Sequence, residues 1–231
     1  MKFKVSYQIL TFDAYSALFD VHGSLEPAVR FVFGERVNAS RFAREWRSNQ
    51  LEYAQLSNSL GQGHLSFWGI TSSALNYTAA LHRLKLSIDQ HSELMETWNY
   101  LRPWPEAEYV LSELRMLGFE LAILSNGDKG MLSRLASQFN PLFSYIFSAE
   151  AAGVYKPAPG VYGLVETVSG VTKSSVMHIA GSCNDVLGAR TAGLDCIWSN
   201  RDQRPLIDPR YPPNYEVKDL RGIIPALNCC V

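Results

Sequence analysis

Five polar residues that could act together follow apolar stretches at separate points of the chain: Asp13, Ser125, Asn126, Lys156 and Asp185. Asp13 offers a carboxylate nucleophile, and Lys156 can neutralise that carboxylate and fix its position. Ser125 and Asn126 offer hydroxyl and amide donors for an anionic substrate group. Asp185 opens a predicted helix, and as a second carboxylate it can hold the lysine or activate water. Each residue alone is typical of a turn or a helix cap, but together they suit displacement at carbon or phosphorus followed by hydrolysis.

The stretches before these residues have the apolar character of buried strands. We predict strands over residues 5–12, 119–124, 145–147, 176–180 and 195–198, and a last edge strand over residues 215–217. Helices are predicted between them, over residues 105–117, 130–138, 159–168 and 185–192. This alternation predicts an α/β fold with a doubly wound parallel sheet and a Rossmann-like core. Because ligands bind outside the carboxyl ends of such strands, we expect the polar residues above to meet in one site.

The residues between the first strand and Pro103 show helical periodicity and few strand signals. Apolar residues recur in this block at Phe42, Trp46, Tyr53 and Leu60, after a helix cap at Asn38 or Ser40. We predict helices over residues 40–60, 66–84 and 87–101. The block predicts an inserted all-α domain over residues 19–100, with the Rossmann-like core formed by residues 1–18 and 101–231.

Composition and charge exclude several classes of partner. A net charge of −1 gives no general attraction to nucleic acid or to an anionic membrane. No apolar run approaches the length of a membrane span, and the basic start at Met1 precedes a stretch too short and too polar for a signal peptide. The four cysteines lack metal-ligand spacing, and the adjacent Cys229 and Cys230 are poorly placed for a disulfide. We expect a cytoplasmic protein with reduced thiols.

The chain resembles the L-2-haloacid dehalogenases, which belong to the haloacid dehalogenase superfamily. The matching segments follow one another over nearly the whole chain: Phe12 to Asp20, Trp46-Arg47, Gln50 to Tyr53, Leu121 to Gly127, Val154 to Pro157 with Tyr162, and Asn184-Asp185. The segments Phe12 to Asp20 and Val154 to Pro157 are together more specific to this family than the other segments are. The resemblance implies that the helical block is the cap of that family.

The resemblance also implies a reaction, a small carboxylate substrate and no cofactor or metal. Asp13 would attack C2 of a 2-halo carboxylic acid and expel halide, and water activated near Asp185 and Lys156 would then hydrolyse the ester. Arg47 and Asn126 would hold the halide, and Ser125 the substrate carboxylate. The other implied contacts are an apolar pocket formed by Tyr15, Leu51 and Phe67, a support for the lysine from Tyr162, and further substrate-side positions at Ser182 and Asn184.

Helical spacing is consistent with the position expected for Arg47. Arg47 lies off the face that carries Phe42, Trp46 and Tyr53, and it shares a stripe with Leu51 four residues further on. We therefore expect Arg47 and Leu51 to face the cleft while Trp46 packs inside the helical block.

The chain departs from the family pattern at Ala17, Ala180, Ser182 and Asn184. The family has a threonine that orients the nucleophile, a serine near the lysine, an asparagine that helps to position water, and a pocket aromatic at these places. Loss of one positioning hydroxyl removes about 1 kcal/mol or slightly more, which lowers the rate by roughly five- to tenfold. The departures leave two alternatives open: a hydrolase of the same mechanism that acts on another small electrophile, and a non-catalytic binding protein.

A magnesium-dependent phosphatase is disfavoured by two positions. Phosphatases of the superfamily carry a general acid two residues after the nucleophile, where this chain has Tyr15, and an acidic magnesium ligand where it has Ala180. Magnesium would have too few hard oxygen ligands.

The histidines form no catalytic pattern, and His178 is interpreted as a hydrogen-bonded core residue rather than a base. The apolar and aromatic residues of the cap are compatible with a homodimer.

Overall fold

The strands confirm the predicted doubly wound sheet. This computed structural model describes residues 7–61 and 63–228, and its strands are β1 Ile9–Phe12, β2 Glu120–Ser125, β3 Tyr145–Ser148, β4 Val176–Ala180, β5 Asp195–Ser199 and β6 Tyr215–Val217. They form one six-stranded sheet in the order β3-β2-β1-β4-β5-β6, with every neighbouring pair parallel. β6 lies at the sheet edge, as predicted.

Some expectations concern residues outside the described ranges. These are the basic start at Met1, the first two residues of the predicted strand over 5–12, and Cys229 with Cys230. Of the described cysteines, Cys183 is half-buried, Cys196 is buried, and both are free thiols.

Helices cover both faces of the sheet and fill the long connection between β1 and β2. That connection contains α1 Val21–Phe33, α2 Ala39–Ser57, α3 Phe67–Leu81 and α4 Ile88–Glu96, which we call the helical insert. The remaining helices are α5 Ala107–Met116, α6 Lys129–Ala136, α7 Ala149–Ala152, α8 Pro159–Ser169, α9 Cys183–Thr191 and α10 Ile223–Asn228.

Side-chain caps explain where the helices of the insert begin. Asn38 accepts a hydrogen bond from the backbone N–H of Arg41 and starts α2, which settles the two predicted alternatives. Ser66 caps α3, and Ser87 with Gln90 forms a capping box at α4. The helix predicted over residues 87–101 is shorter, because α4 ends at Glu96 and a 3-10 turn follows.

Strand register places the polar residues at one edge of the sheet. β1 lies between β2 and β4, with Phe12 opposite both Ile123 and Ile179. Phe12, Ile123 and Ile179 are fully buried, as expected for parallel strands covered on both faces. Asp13 therefore leaves the sheet between the ends of β2 and β4.

The start of α9 differs from the prediction. Asp185 was expected to open this helix, but the cap is Ser182, whose hydroxyl accepts a hydrogen bond from the backbone N–H of Asp185 at 3.3 Å. The helix begins at Cys183, and Asp185 lies within its first turn. Its carboxylate is consequently free to contact other side chains.

Candidate active site

The turn after β1 fixes the carboxylate of Asp13. A π-helical turn over Ala14–Leu18 brings Ser16 back towards Asp13. Asp13 Oδ2 accepts hydrogen bonds from the Ser16 backbone N–H at 3.0 Å and from the Ser16 hydroxyl at 2.7 Å. Asp13 Oδ1 accepts a hydrogen bond from the Ser125 hydroxyl at 2.9 Å. Both oxygens are thus oriented by the chain itself.

Ser16 is a site residue that the sequence analysis missed. Its signal was present, because an aspartate followed three residues later by serine often forms a local side-chain cap. Ser16 also lies next to Ala17, which is fully buried and stands where the resemblance implies a threonine. The neighbouring Ser16 supplies a hydroxyl to the Asp13 carboxylate.

Gly181 allows the loop after β4 to approach this turn. A Cβ atom at Gly181 would lie 2.2 Å from the carbonyl carbon of Ser16. Any larger residue would push the two loops apart, because the obstructing atom belongs to the backbone. Gly181 therefore keeps the β4 end, and with it Asp185, close to Asp13.

Lys156 lies between the two carboxylates. Its Nζ is 3.4 Å from Asp13 Oδ1 and 3.0 Å from Asp185 Oδ1, and its side chain is only 8% exposed. The backbone N–H of Lys156 donates to Asn126 Oδ1 at 2.8 Å, so Asn126 holds the lysine loop. The structure brings these four predicted site residues together.

Two further side chains orient Asp185. The Tyr162 hydroxyl donates to Asp185 Oδ1 at 2.8 Å, and His178 Nε2 lies 2.9 Å from Asp185 Oδ2. Burial alone would raise the pKa of Asp185, but the charge of Lys156 and the hydrogen bonds from His178 and Lys156 outweigh burial and lower it. Asp185 is therefore ionised at neutral pH.

Tyr162 remains a hydrogen-bond donor in this position. Burial, and then the charge of Asp185, raise the pKa of Tyr162 well above its usual value. Its ring centroid lies 5.5 Å from Lys156 Nζ. Tyr162 thus contacts Asp185 through its hydroxyl and Lys156 through its ring.

His178 is a fully buried residue of β4, and the expectation of a hydrogen-bonded core histidine is confirmed. Its Nδ1 lies 2.8 Å from the hydroxyl of Thr11 on β1. The contact with Asp185 was not predicted.

Arg47 of α2 reaches the site from the helical insert. Its guanidinium lies 5.3 Å from the ring centroid of Tyr15 and 5.6 Å from that of Trp98, and Nη1 donates to Gln50 Oε1. Burial lowers the pKa of Arg47, against the raising effects of Asp13 and Tyr15, but an arginine keeps its charge in proteins. As expected from helical spacing, Trp46 is buried within the insert and its indole N–H donates to the Thr71 carbonyl.

A cavity of about 570 Å³ joins these groups. Its walls include nine of the twelve predicted site residues: Asp13, Tyr15, Arg47, Leu51, Asn126, Lys156, Ser182, Asn184 and Asp185.

Phe67, Tyr162 and Ser125 do not line this cavity. Phe67 packs behind Tyr15, with ring centroids 5.3 Å apart. Ser125, for which a contact with the substrate carboxylate was expected, instead donates its hydroxyl to Asp13.

Within the described ranges, no group of three or more histidine, cysteine or acidic residues is arranged to hold a metal ion. None of the helices described is both long and apolar enough to cross a membrane.

Comparison with known proteins agrees with this geometry. Residues 7–193 match a family described as haloacid dehalogenase-like hydrolase. The chain is 34% identical to haloacetate dehalogenase H-2 of Moraxella sp. (strain B), over 94% of this chain and 96% of that protein. It is 36% identical to an (S)-2-haloacid dehalogenase of Xanthobacter autotrophicus, over 80% of this chain and 72% of the relative.

A solved structure gives the same result at the level of the fold. It is the L-2-haloacid dehalogenase of Xanthobacter autotrophicus with chloropropionic acid covalently bound. It superimposes with a TM-score of 0.84 at 28% identity, over 96% of this chain and 98% of that chain. The chain therefore belongs to the haloacid dehalogenase-like hydrolases, in the branch of the 2-haloacid dehalogenases.

Proposed function

We propose that the protein hydrolyses the carbon–halogen bond of a small (S)-2-halo carboxylic acid through an ester on Asp13. The observation that carries this proposal is the position of Asp13. Its carboxylate is held by Ser16, Ser125 and Lys156, and it lines a cavity that Arg47 also lines. A covalent chloropropionate complex of a relative supports it.

In the first half-reaction, an oxygen of Asp13 attacks C2 of the substrate. The new C–O bond forms as the carbon–halogen bond breaks, and the halide leaves with the bonding electron pair. Arg47 stabilises the departing anion, with Asn126 nearby, since a buried cation is strongly attracted to developing negative charge. Tyr15 and Leu51 form the apolar wall beside C2, and Phe67 supports this wall from behind.

In the second half-reaction, water attacks the carboxyl carbon of the Asp13 ester. A water proton passes to Asp185, the ester C–O bond breaks, and the alkoxide takes up a proton to release a 2-hydroxy acid. Asp13 regains its carboxylate, and the overall products are hydroxy acid, halide and one proton. No step needs a cofactor or a metal ion.

The direct test measures halide release from (S)-2-chloropropionate and bromoacetate. Asp13→Asn is expected to abolish release, whereas Asp89→Asn, which changes an exposed carboxylate at the start of α4, should leave it unchanged. A single turnover in ¹⁸O water should place label in the Asp13 peptide. Absence of halide release by the wild type, or equal release by Asp13→Asn, would contradict the proposal.

A second candidate substrate class is favoured by the cavity. Its volume of about 570 Å³ is large for a three-carbon acid, and the polar Ser182 and Asn184 form part of its wall. An activated carbon compound with a longer polar chain would use the same ester chemistry. A panel of 2-halo acids of increasing length and polarity tests this, with kcat/KM rising along the panel as the expected result.

The helical insert supplies part of the cavity wall. We assign residues 19–100 to a cap domain and residues 1–18 with 101–231 to the catalytic core, because Arg47 and Leu51 close the cavity from the insert. Limited proteolysis with and without a substrate analogue tests this division.

The surface of the insert supports a homodimer. It exposes large apolar side chains at Leu56, Leu60, Tyr77 and Leu81. Light scattering should give twice the mass of one chain for the wild type. The double variant Leu56→Glu, Leu81→Glu should be a monomer. We also place the protein in the cytoplasm, which fractionation of the producing cell can check.

A further inference from the structure

One buried imidazole is not used by the reaction as described above. His178 lies in the middle of β4 and is fully buried. Its Nδ1 is 2.8 Å from the Thr11 hydroxyl, and its Nε2 is 2.9 Å from Asp185 Oδ2. Because an ionised carboxylate only accepts hydrogen bonds, the imidazole donates to Asp185 through Nε2.

The hydrogen bonds to Asp185 define where a water molecule can bind. Three groups make four contacts with this carboxylate: Lys156 Nζ lies 3.0 Å from Oδ1 and 3.1 Å from Oδ2, the Tyr162 hydroxyl 2.8 Å from Oδ1, and His178 Nε2 2.9 Å from Oδ2. A carboxylate has about four acceptor positions, so a water molecule can bind only where it replaces one of the two contacts of the flexible lysine. Since Asp185 lines the cavity, this position is accessible to a water molecule there. Tyr162 holds Oδ1 and His178 holds Oδ2, and the two contacts prevent rotation of the carboxylate.

This support has its greatest importance after the ester has formed. In the free enzyme, Lys156 lies between Asp13 and Asp185. Esterification removes the charge of Asp13, so the ammonium group is then attracted to Asp185 alone. A carboxylate that rotated to follow the ammonium group would turn its acceptor position away from the water and become a weaker base. His178 approaches from the interior of the sheet, on a rigid strand, and its contact with Oδ2 does not depend on the state of Asp13.

We infer that His178, itself held by Thr11, is a positioning residue that orients Asp185 for hydrolysis of the Asp13 ester. The inference rests on the proposed covalent function. It assigns His178 to the second half-reaction, in which the water proton moves to Asp185 and the hydroxyl adds to the Asp13 carboxyl carbon. Displacement of halide by Asp13 does not require this orientation.

The test compares two amide variants of similar size. His178→Gln places an amide nitrogen near the position of Nε2 and keeps a donor for Asp185. His178→Asn reaches only the Nδ1 position and loses that donor. Rapid-quench kinetics with (S)-2-chloropropionate measure the burst of halide, and mass spectrometry measures ester on the Asp13 peptide. Circular dichroism and thermal melts report the folded fraction.

His178→Asn should retain the halide burst within about threefold and hydrolyse the ester about 10–100-fold more slowly, as expected for loss of a charge-assisted hydrogen bond. Ester should accumulate in His178→Asn, and His178→Gln should restore hydrolysis. Thr11→Val should show a smaller defect in the same step.

The inference is overturned if folded His178→Asn hydrolyses the ester at the wild-type rate, or if both half-reactions slow equally. It is also overturned if Gln and Asn behave alike. A wild type that releases no halide overturns the proposed function itself. Normal wild-type turnover with no accumulated ester in His178→Asn overturns this inference alone.

Discussion

The two sides of the cavity are built with different numbers of interactions. On the sheet side, Asp13, Lys156 and Asp185 are all buried, and each has several hydrogen-bond partners from separate elements. On the insert side, the described contacts of Arg47 are one hydrogen bond and two aromatic rings. Asn184, which precedes Asp185 on α9, is exposed at the cavity wall. Reaction chemistry needs fixed geometry, whereas a loosely held wall can change with the substrate. The comparison assigns the ester chemistry to the buried groups of the sheet side, halide stabilisation to Arg47 of the insert, and substrate choice to the exposed wall at Asn184.

The largest effect is expected from loss of the lysine. Lys156→Met would leave the buried Asp13 and Asp185 without their shared cation, at a cost of about 3–5 kcal/mol in stability. Turnover should fall by about 1,000-fold or more, because both half-reactions use these carboxylates. Thermal melts and halide release measure the two effects. Lys85→Met, at an exposed lysine of the insert, is the control and should change neither. Comparable losses in both variants would contradict the importance given to the sheet side.

The next effect concerns stability as a function of pH. The pKa of Asp185 is lowered in the folded protein, so its ionised form stabilises the fold above the ordinary carboxyl pKa of about 4. This contribution is lost as the pH falls through the folded pKa. Asp185→Asn should therefore lower the free energy of unfolding by about 2 kcal/mol or more at pH 7, and the difference from wild type should shrink towards pH 3. Urea unfolding at both pH values measures it. If the difference in free energy of unfolding between wild type and Asp185→Asn increased at low pH, the pKa of Asp185 would be raised rather than lowered by folding.

Some parts of the site could be predicted from the sequence and others could not. The polar residues at the strand ends were found because parallel strands deliver their carboxyl ends to one edge. The hydrogen bond between His178 and Asp185 could not be predicted, since it depends on how closely β4 approaches the first turn of α9. The cap of α9 was misassigned because Ser182 and Asp185 are both good capping residues and only the tertiary fold selects between them.

The fold, like the site, was predicted only in part. Long apolar runs predicted the strands, and helical periodicity, with a cap at Asn38 or Ser40 for α2, predicted α2 to α4, but α1 was not singled out as a helix. Its sequence contains Gly23 and Pro27, both of which weaken the helical signal. Packing against α2 and α4 supplies what local propensity lacks.

A moderate effect is expected on the insert side of the cavity. Arg47→Lys keeps the charge but loses the planar group that lies over Tyr15 and Trp98. We expect kcat/KM for 2-chloropropionate to fall about 10–30-fold, since halide stabilisation depends on the position of the cation. The burst of halide should slow, whereas hydrolysis of the ester should not. Arg41→Lys, at an exposed arginine paired with Glu45 on the same helix, is the matched control. If Arg47→Lys slowed only ester hydrolysis, the assignment of Arg47 to the first half-reaction would be wrong.

The smallest effect should separate substrate choice from chemistry most clearly. Asn184 is exposed at the cavity wall, where the resemblance implies an aromatic residue. Asn184→Phe would add apolar surface against the substrate, and burial of apolar surface contributes about 25 cal/mol per Å². We expect KM for 2-chloropropionate to fall a few-fold with kcat unchanged, and KM for longer polar acids to rise, because uniform binding alters KM alone. Asn184→Gln keeps the polar wall and should leave the preference as it is. A change in kcat without a change in substrate preference would mean that Asn184 belongs with the reacting groups, and its assignment to substrate choice would then be wrong.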